Sequence, residues 1–248
     1  MEDKEAGSKG GVSIVLAWMV HLLTACGAVL ALFAVAAIAG DQWRLALFWL
    51  LAALAIDGID GTLARSLRVA ERVPRIHGAT LDLVIDYLNY VFVPTLFLWR
   101  ADLLPAALAP ALAAAIQISS LYAFARADMK TDDGYFRGFP ALWNLVAFYL
   151  FVIQPGAETG AVAVALLVAL TFMPIHFIHP FRVRDYRRWP VLLALMWALS
   201  TTTLLWAGWA PQARAVLLSL SLASAAVLVA MGLLRTIRGV RRGDTNFL

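Results

Sequence analysis

The sequence predicts an all-α, polytopic integral membrane protein, and three observations lead to this fold class. Hydrophobic residues make up 62% of the 248-residue chain, charged residues only 15%, and the mean hydropathy is +0.79. A soluble domain usually has about 25% charged residues. The apolar residues also form long runs, and a run of about 20 residues is long enough to cross a bilayer. We therefore expect one membrane domain over residues 1–248, without a separate soluble domain.

About eight transmembrane helices are predicted, and the short connections between them make neighbouring helices antiparallel. The fifth is the shortest. The first apolar run is longer than the core of a signal peptide, so we expect a retained span and no cleavage. The predicted spans are residues 13–39, 42–65, 76–99, 103–126, 140–155, 160–180, 190–208 and 212–235.

The basic residues predict that both termini are cytoplasmic. With eight spans, 17 of the 20 lysines and arginines fall on the side of the termini, and only Arg44, Arg100 and Arg214 fall on the other. Cytoplasmic connections carry this excess in membrane proteins. Since the basic residues lie between apolar segments, anionic lipid head groups explain the pI near 9.5, and no nucleic-acid partner is expected. Cys26 is the only cysteine, which excludes an intrachain disulfide.

Four carboxylates lie inside the second and third predicted spans, where a charge is costly and rare without a functional reason. Two helix faces carry them, the first with Asp57, Asp60, Gly61, Ala64 and Arg65 and the second with Gly78, Asp82 and Asp86. At 1.5 Å per residue, Asp57, Asp82 and Asp86 lie about 12, 10 and 16 Å from the cytoplasmic ends of their helices. Turned toward each other at this depth, the two faces would form the oxygen-rich site that hard divalent cations prefer.

Three interpretations of these carboxylates compete. They could be structural and pair with Arg65, although four acids against one nearby base leave buried charge uncompensated. They could form the pathway of a cation-coupled membrane transporter. They could instead hold two divalent metal ions for phosphate chemistry. The third interpretation also explains the small residues Gly61, Ala64 and Gly78, which give a large substrate access, although close helix packing uses small residues too.

The spacing Asp-x-x-Asp-Gly-x-x-Ala-Arg, followed by Gly-x-x-x-Asp-x-x-x-Asp, resembles the signature of the CDP-alcohol phosphatidyltransferases. All eight of its fixed positions are present between Asp57 and Asp86. The interval from Ser66 to His77 is longer than is usual in the family. With its Pro74, this interval is similar to that of a bacterial subgroup whose acceptor alcohol is choline. Further stretches resemble the same subgroup, at residues 20–25, 86–94, 136–144 and 174–183.

The resemblance implies an enzyme that joins CDP-diacylglycerol to choline and releases CMP, with serine or inositol as alternative acceptors. It implies two ions of Mn²⁺ or Mg²⁺, held by Asp57, Asp60, Asp82 and Asp86. Asp86 would also be the general base, unless coordination of the hydroxyl to a metal promotes proton loss instead. The CDP part is expected to contact Asp60, Gly61, Ala64, Arg65 and Gly78. The resemblance further implies a homodimer. The distribution of basic residues and the depth of the carboxylates predict an active site that faces the cytoplasm, in the bacterial inner membrane.

Choline is a quaternary ammonium ion, and proteins bind such ions with the faces of aromatic rings. Five aromatic residues near the predicted cytoplasmic mouth are candidates for this role, although packing explains each of them as well: Tyr87, Tyr90, Tyr122, Phe136 and Trp143.

Overall fold

The chain is mostly helical in a computed structural model that describes residues 2–183, 186, 188–206 and 208–242, with side chains between residues 14 and 239. Arg184 and Arg187, two of the basic residues that predict the orientation, lie outside the described residues. So do the side chains of Lys4, Lys9, Arg241 and Arg242. The chain forms two compact units, one that ends at Pro94 and one that begins at Thr95.

The first unit is built around its first helix. Its elements are α1 (Glu2–Ala39), α2 (Trp43–Ser66), α3 (Val69–Arg72), α4 (Gly78–Tyr87) and a π-helical turn (Leu88–Phe92). α1 packs along α2 and also contacts α3, α4 and the π-helical turn. Gly27 of α1 permits the contact with α4, because a methyl group there would overlap Ile85.

The twelve residues between Arg65 and Gly78 fold back onto α1. Val69 and Val73 are buried in a small apolar cluster with Ala17 and Val20 of α1. α3 ends at Arg72 because Val73 precedes Pro74, and a residue before proline disfavours the helical conformation. The long interval is therefore a folded segment attached to the first helix.

The helix that begins at Gly78 changes its winding before Pro94. Proline lacks the N–H group for the helical hydrogen bond and crowds the preceding turn. The chain accommodates this with the π-helical turn, in which the N–H of Val93 bonds to the carbonyl of Leu88. The helix then continues as α5 (Val93–Arg100).

Among its described residues, the second unit contains most of α5, five further helices and a small sheet. The elements after α5 are α6 (Ala109–Ala125), β1 (Tyr135–Arg137), α7 (Trp143–Ile153), α8 (Ala157–Thr171), β2 (His176–Ile178), α9 (Trp189–Leu204) and α10 (Pro211–Arg242). β1 and β2 pair in antiparallel orientation, with Phe136 opposite Phe177. α9 packs on α10, and α10 also contacts β2.

Hydroxyl groups join three helices of the second unit. The hydroxyls of Tyr149 and Ser221 are 2.8 Å apart, and Thr201 lies 2.9 Å from the same serine. The indole N–H of Trp197 donates to Tyr149 at 2.8 Å. Such bonds hold apolar helices together where the hydrophobic effect is weak.

The helices agree with the predicted fold class in most respects. Among the described residues, four helices are long and apolar enough to cross a membrane, namely 14–39, 43–66, 78–100 and 211–239, and four shorter apolar helices lie at the other predicted spans. The sixth predicted span is wrong at its end, because α8 stops at Thr171 and the residues after Pro174 form β2. The two-stranded sheet of β1 and β2 also departs from the predicted all-α class. The helices indicate a membrane protein.

Candidate metal and nucleotide site

Three of the four carboxylates meet between two helices of the first unit. Asp57 on α2 and Asp82 and Asp86 on α4 can each offer an oxygen atom within 4.8 Å of the others. Asp82 and Asp86 are one turn apart on α4, so both project from the same face. All three are partly buried. Carboxylate oxygens at such separations suit a hard divalent cation.

Tyr90 holds the first of these carboxylates. Its hydroxyl donates to Oδ2 of Asp57 at 2.6 Å, and the residue is only 5% exposed. Tyr90 lies in the π-helical turn, four residues after Asp86. Sequence analysis predicted Tyr90 as a choline contact, whereas its hydroxyl lies against a candidate metal ligand.

Asp60 lies outside the group of three and is held by α1. Thr24 donates to Oδ2 of Asp60 at 2.5 Å, while Oδ1 of the same carboxylate is buried without a hydrogen-bond partner. Asp60 is 3% exposed. A buried carboxylate with an unpartnered oxygen is costly, and a bound cation would remove that cost. The donor set and this oxygen therefore fit the metal site that the sequence predicts.

The residues predicted to contact CDP lie on α2 and at the start of α4, both in the first unit. Arg65 is exposed at the end of α2, and its guanidinium donates to Thr62 at 3.1 Å. A methyl group at Gly61 would lie 3.4 Å from Nη1 of Arg65, which is about ordinary van der Waals contact with the end of a flexible side chain. Ala64 packs against the apolar cluster around Val69.

Gly78 begins α4 beside His21 of α1. A methyl group at Gly78 would lie 3.2 Å from Cε1 of His21, closer than ordinary van der Waals contact. His21 is 8% exposed. The absence of a side chain at Gly78 therefore lets the histidine ring approach the start of α4.

Three of the predicted choline contacts belong to the second unit. Trp143 is completely buried, and its indole N–H donates to Ser120 at 2.8 Å. Phe136 stacks on His179, and the ammonium group of Lys130 lies 5.3 Å from the centre of the Phe136 ring. Tyr122 is 48% exposed and packs against Phe172 and Arg126. The fourth, Tyr87, is partly buried at the end of α4 in the first unit. Their role in choline binding stays a prediction.

Sequence reasoning assigned no role to His21 and Thr24. Both lie in the 20–25 stretch, whose resemblance was noted, and they are three residues apart on one face of α1. The sequence signal that could have identified them is a histidine and a threonine on the same face of an apolar span.

Comparisons with known proteins show the family of this chain. The family described as CDP-alcohol phosphatidyltransferase matches residues 16–176. The chain belongs to this family. The match includes α2, α4 and most of α1, which carry the three grouped carboxylates, Asp60 and Thr24.

Several relatives within the CDP-alcohol phosphatidyltransferase family share one name. The phosphatidylcholine synthase of Pseudomonas aeruginosa is 40% identical over 222 residues, which cover 90% of this chain and 92% of that protein. That of Bradyrhizobium diazoefficiens is 45% identical, covering 74% of this chain and 68% of that protein. That of Borreliella burgdorferi is 37% identical, covering 71% and 76%.

Proposed function

We propose that this chain is a phosphatidylcholine synthase, which condenses CDP-diacylglycerol with choline to give phosphatidylcholine and CMP. The grouping of Asp57, Asp82 and Asp86 is the observation that carries the chemistry. The relatives named phosphatidylcholine synthase, one of them aligned over 90% of the chain, support the choice of acceptor. The candidate membrane spans suit a donor whose acyl chains remain in the bilayer.

Four carboxylates would hold two divalent ions, Mn²⁺ or Mg²⁺. Asp57, Asp60 and Asp82 are proposed for one ion, and Asp57, Asp82 and Asp86 for the other. When bound, such ions neutralise the negative charge of a diphosphate and stabilise the attacking and leaving oxygens. Tyr90 and Thr24 support this role because each donates to the carboxylate oxygen of a proposed ligand, Asp57 and Asp60 respectively.

The transfer is proposed to be a direct displacement. The choline hydroxyl oxygen forms a bond to the phosphorus that bears the diacylglycerol, and the bond from this phosphorus to the oxygen of CMP breaks. Asp86 takes the hydroxyl proton, and CMP leaves with the electron pair. The eight signature positions include no serine, cysteine or histidine to form a covalent intermediate, which favours a single displacement.

The substrates are assigned to two groups of residues. Asp60, Gly61, Ala64, Arg65 and Gly78 are proposed to line the CDP part, with Arg65 available to phosphate or ribose oxygens. Tyr87 is the proposed choline contact nearest in sequence to Asp86. Tyr90, Tyr122, Phe136 and Trp143 remain further candidates.

The chain is proposed to act as one catalytic domain with eight spans, both termini in the cytoplasm and its active site facing inward in the bacterial inner membrane. The family match supports one domain because residues 16–176 include parts of both compact units. A homodimer remains an expectation from the family resemblance, and chemical cross-linking in the membrane tests it.

A head-group competition tests the proposed reaction. Purified protein is supplied with CDP-diacylglycerol, Mn²⁺ and an equimolar mixture of choline, serine and inositol. We expect phosphatidylcholine and CMP in equal amounts, and no product after chelation of the metal. Formation of another phospholipid in place of phosphatidylcholine would show that the acceptor is wrong, and no phospholipid at all would show that the reaction is wrong.

Replacing the proposed base tests the assignment of Asp86. Asp86→Asn should lower kcat by about 10²–10⁴-fold, the usual contribution of a positioned acid or base, while thermal unfolding shows a folded protein. Asp102→Asn is the matched control, because Asp102 lies in an exposed turn that asparagine also tolerates. Asp86→Asn with control-like activity would remove Asp86 from the chemistry.

A further inference from the structure

His21 has a buried nitrogen without a partner. The residue is 8% exposed, and its Nε2 atom is buried with no hydrogen bond. The ring is fixed from one side by Trp18, whose ring centre lies 6.3 Å away in an edge-on arrangement. An unpaired buried polar atom destabilises the structure, so a ligand that bonds to it gains affinity.

The position of His21 places its ring next to Gly78, one of the residues proposed to line the CDP part. The Cε1–Nδ1 edge of the ring lies against Gly78, which has no side chain to separate the ring from α4. Thr24, one turn further along α1, donates to Asp60. The same face of α1 therefore serves Asp60 and the start of α4.

The grouped carboxylates do not account for this histidine. Within the described residues, the group of nearby potential metal ligands comprises Asp57, Asp82 and Asp86 and excludes His21. Gly78 precedes Asp82 by four residues, which is about 6 Å along a helix. If the diphosphate of the donor lies at the carboxylates, its nucleoside can lie one helical turn away, beside Gly78 and His21.

We propose that His21 hydrogen-bonds the nucleoside half of the cytidine diphosphate donor through Nε2. A neutral imidazole can donate from one ring nitrogen and accept at the other, and ribose hydroxyls and the polar edge of cytosine offer partners of both kinds. The inference rests on the proposed function, since it takes a cytidine nucleotide as the donor. In this proposal His21 determines specificity for the nucleoside and takes no part in the displacement reaction.

Inhibition by two fragments of the donor tests this assignment in the purified full-length protein. CMP contains the nucleoside, whereas inorganic pyrophosphate contains only the phosphates. His21→Phe keeps an aromatic ring and loses both nitrogens, so it should raise the inhibition constant of CMP and the KM for CDP-diacylglycerol by about 5–10-fold, the value of one hydrogen bond. Inhibition by pyrophosphate and the KM for choline should stay within about twofold, since neither ligand uses this bond.

Two further variants complete the test. His21→Gln retains a donor and an acceptor and should keep CMP inhibition nearer to that of the wild type. Leu22→Ala is the matched control, because the neighbouring Leu22 is 65% exposed. If thermal unfolding shows that His21→Phe is unfolded, His21→Leu replaces it.

The proposal is overturned if CMP inhibits His21→Phe as strongly as it inhibits the wild type, or if inhibition by CMP and by pyrophosphate weakens equally. It is also overturned if the variant changes only the Mn²⁺ concentration for half-maximal activity, which would make His21 part of the metal site. Failure of the proposed function is seen separately, because the wild-type protein would then form no phosphatidylcholine from CDP-diacylglycerol.

Discussion

At the scale of single residues, the hydrogen bond from Tyr90 to Asp57 links a buried tyrosine to a proposed metal ligand. A phenol that donates to one carboxylate oxygen leaves the other oxygen oriented for a cation, and such outer contacts tune metal sites. The distance of 2.6 Å and the 5% exposure of Tyr90 indicate a fixed arrangement. The two predicted roles of this tyrosine, choline contact and support of Asp57, can be separated by experiment.

Tyr90→Phe keeps the ring and removes the hydroxyl. We expect the Mn²⁺ concentration for half-maximal activity to rise by about 10-fold or more, with little change in the KM for choline. Mn²⁺ binding measured by electron paramagnetic resonance, without substrates, should weaken by the same factor. Tyr149→Phe is the control, because it removes a hydroxyl from the polar cluster of the second unit. A raised KM for choline with unchanged Mn²⁺ binding would favour the choline role instead.

The helical period explains which site residues the sequence revealed. Asp82 and Asp86 share a face because they are four residues apart, and Asp57 meets them because the two helices are adjacent. The hydroxyl of Tyr90 could not be placed, since the π-helical turn shifts the face of every residue within it. Asp60 was included among the metal ligands because the family resemblance implies it, and the contact of its Oδ2 with Thr24 could not be predicted from the sequence.

At the scale of helices, Gly27 controls how closely α1 approaches α4. The amide of Asn89 donates to the Gly27 carbonyl at 3.0 Å, and Ile85 occupies the space that a side chain at Gly27 would need. Ile85 neighbours Asp86 in the sequence, so a shift of α4 would move a proposed catalytic carboxylate. Rate losses of about 10²-fold can follow a misplacement of about 1 Å.

Gly27→Ala should therefore lower kcat and the thermal unfolding temperature together. Ile85→Ala removes the side-chain atoms that the new methyl group would meet, so the double variant should recover part of the activity lost by Gly27→Ala. Gly40→Ala is the matched control, because a methyl group there would have no neighbour closer than 3.7 Å. A Gly27→Ala protein with full activity would show that α4 can move without moving the carboxylates.

The connection between α6 and α7 is held by a charged network. Arg126 donates two hydrogen bonds to Asp128, at 2.9 and 2.8 Å, and Arg137 donates a third at 3.1 Å. The bonds from Arg126 hold the pKa of Asp128 at about 2, below its usual 3.8. Since the pKa is lowered in the folded state, the stabilisation is complete above about pH 4 and is lost as the pH falls through about 2.

Asp128→Asn should loosen this connection at neutral pH, where the wild-type carboxylate is charged. We expect faster tryptic cleavage after Arg126, Lys130 and Arg137, with little change elsewhere. Asp132→Asn, in the same connection, is the control. The global unfolding temperature should change little, because exposed ion pairs contribute modestly to stability. Equal cleavage rates for both variants would show that the network does not order the connection.

At the scale of the whole molecule, hydropathy predicted the order of the helices better than their ends. Each of the eight predicted spans overlaps an apolar helix, because long apolar runs have few alternatives in a membrane. The β1–β2 pair was missed because Phe177 and Ile178 are apolar and were assigned to the sixth span. Their pairing with residues about 40 positions earlier is a long-range contact that local hydropathy does not encode.

The orientation of the chain is the remaining whole-molecule prediction, and it follows from the distribution of arginine and lysine. Replacing Cys26 with alanine gives a cysteine-free protein to which single cysteines can be added. Ser66→Cys reports the predicted cytoplasmic side, at the end of α2, and Glu158→Cys reports the opposite side, in the first turn of α8. Both sites are exposed. In intact bacterial spheroplasts, a membrane-impermeant maleimide should label the Glu158→Cys variant and not the Ser66→Cys variant, whereas both variants should react after lysis. The reverse pattern would place the carboxylates and the CMP exit on the outer side, where no cytidine nucleotide donor is made.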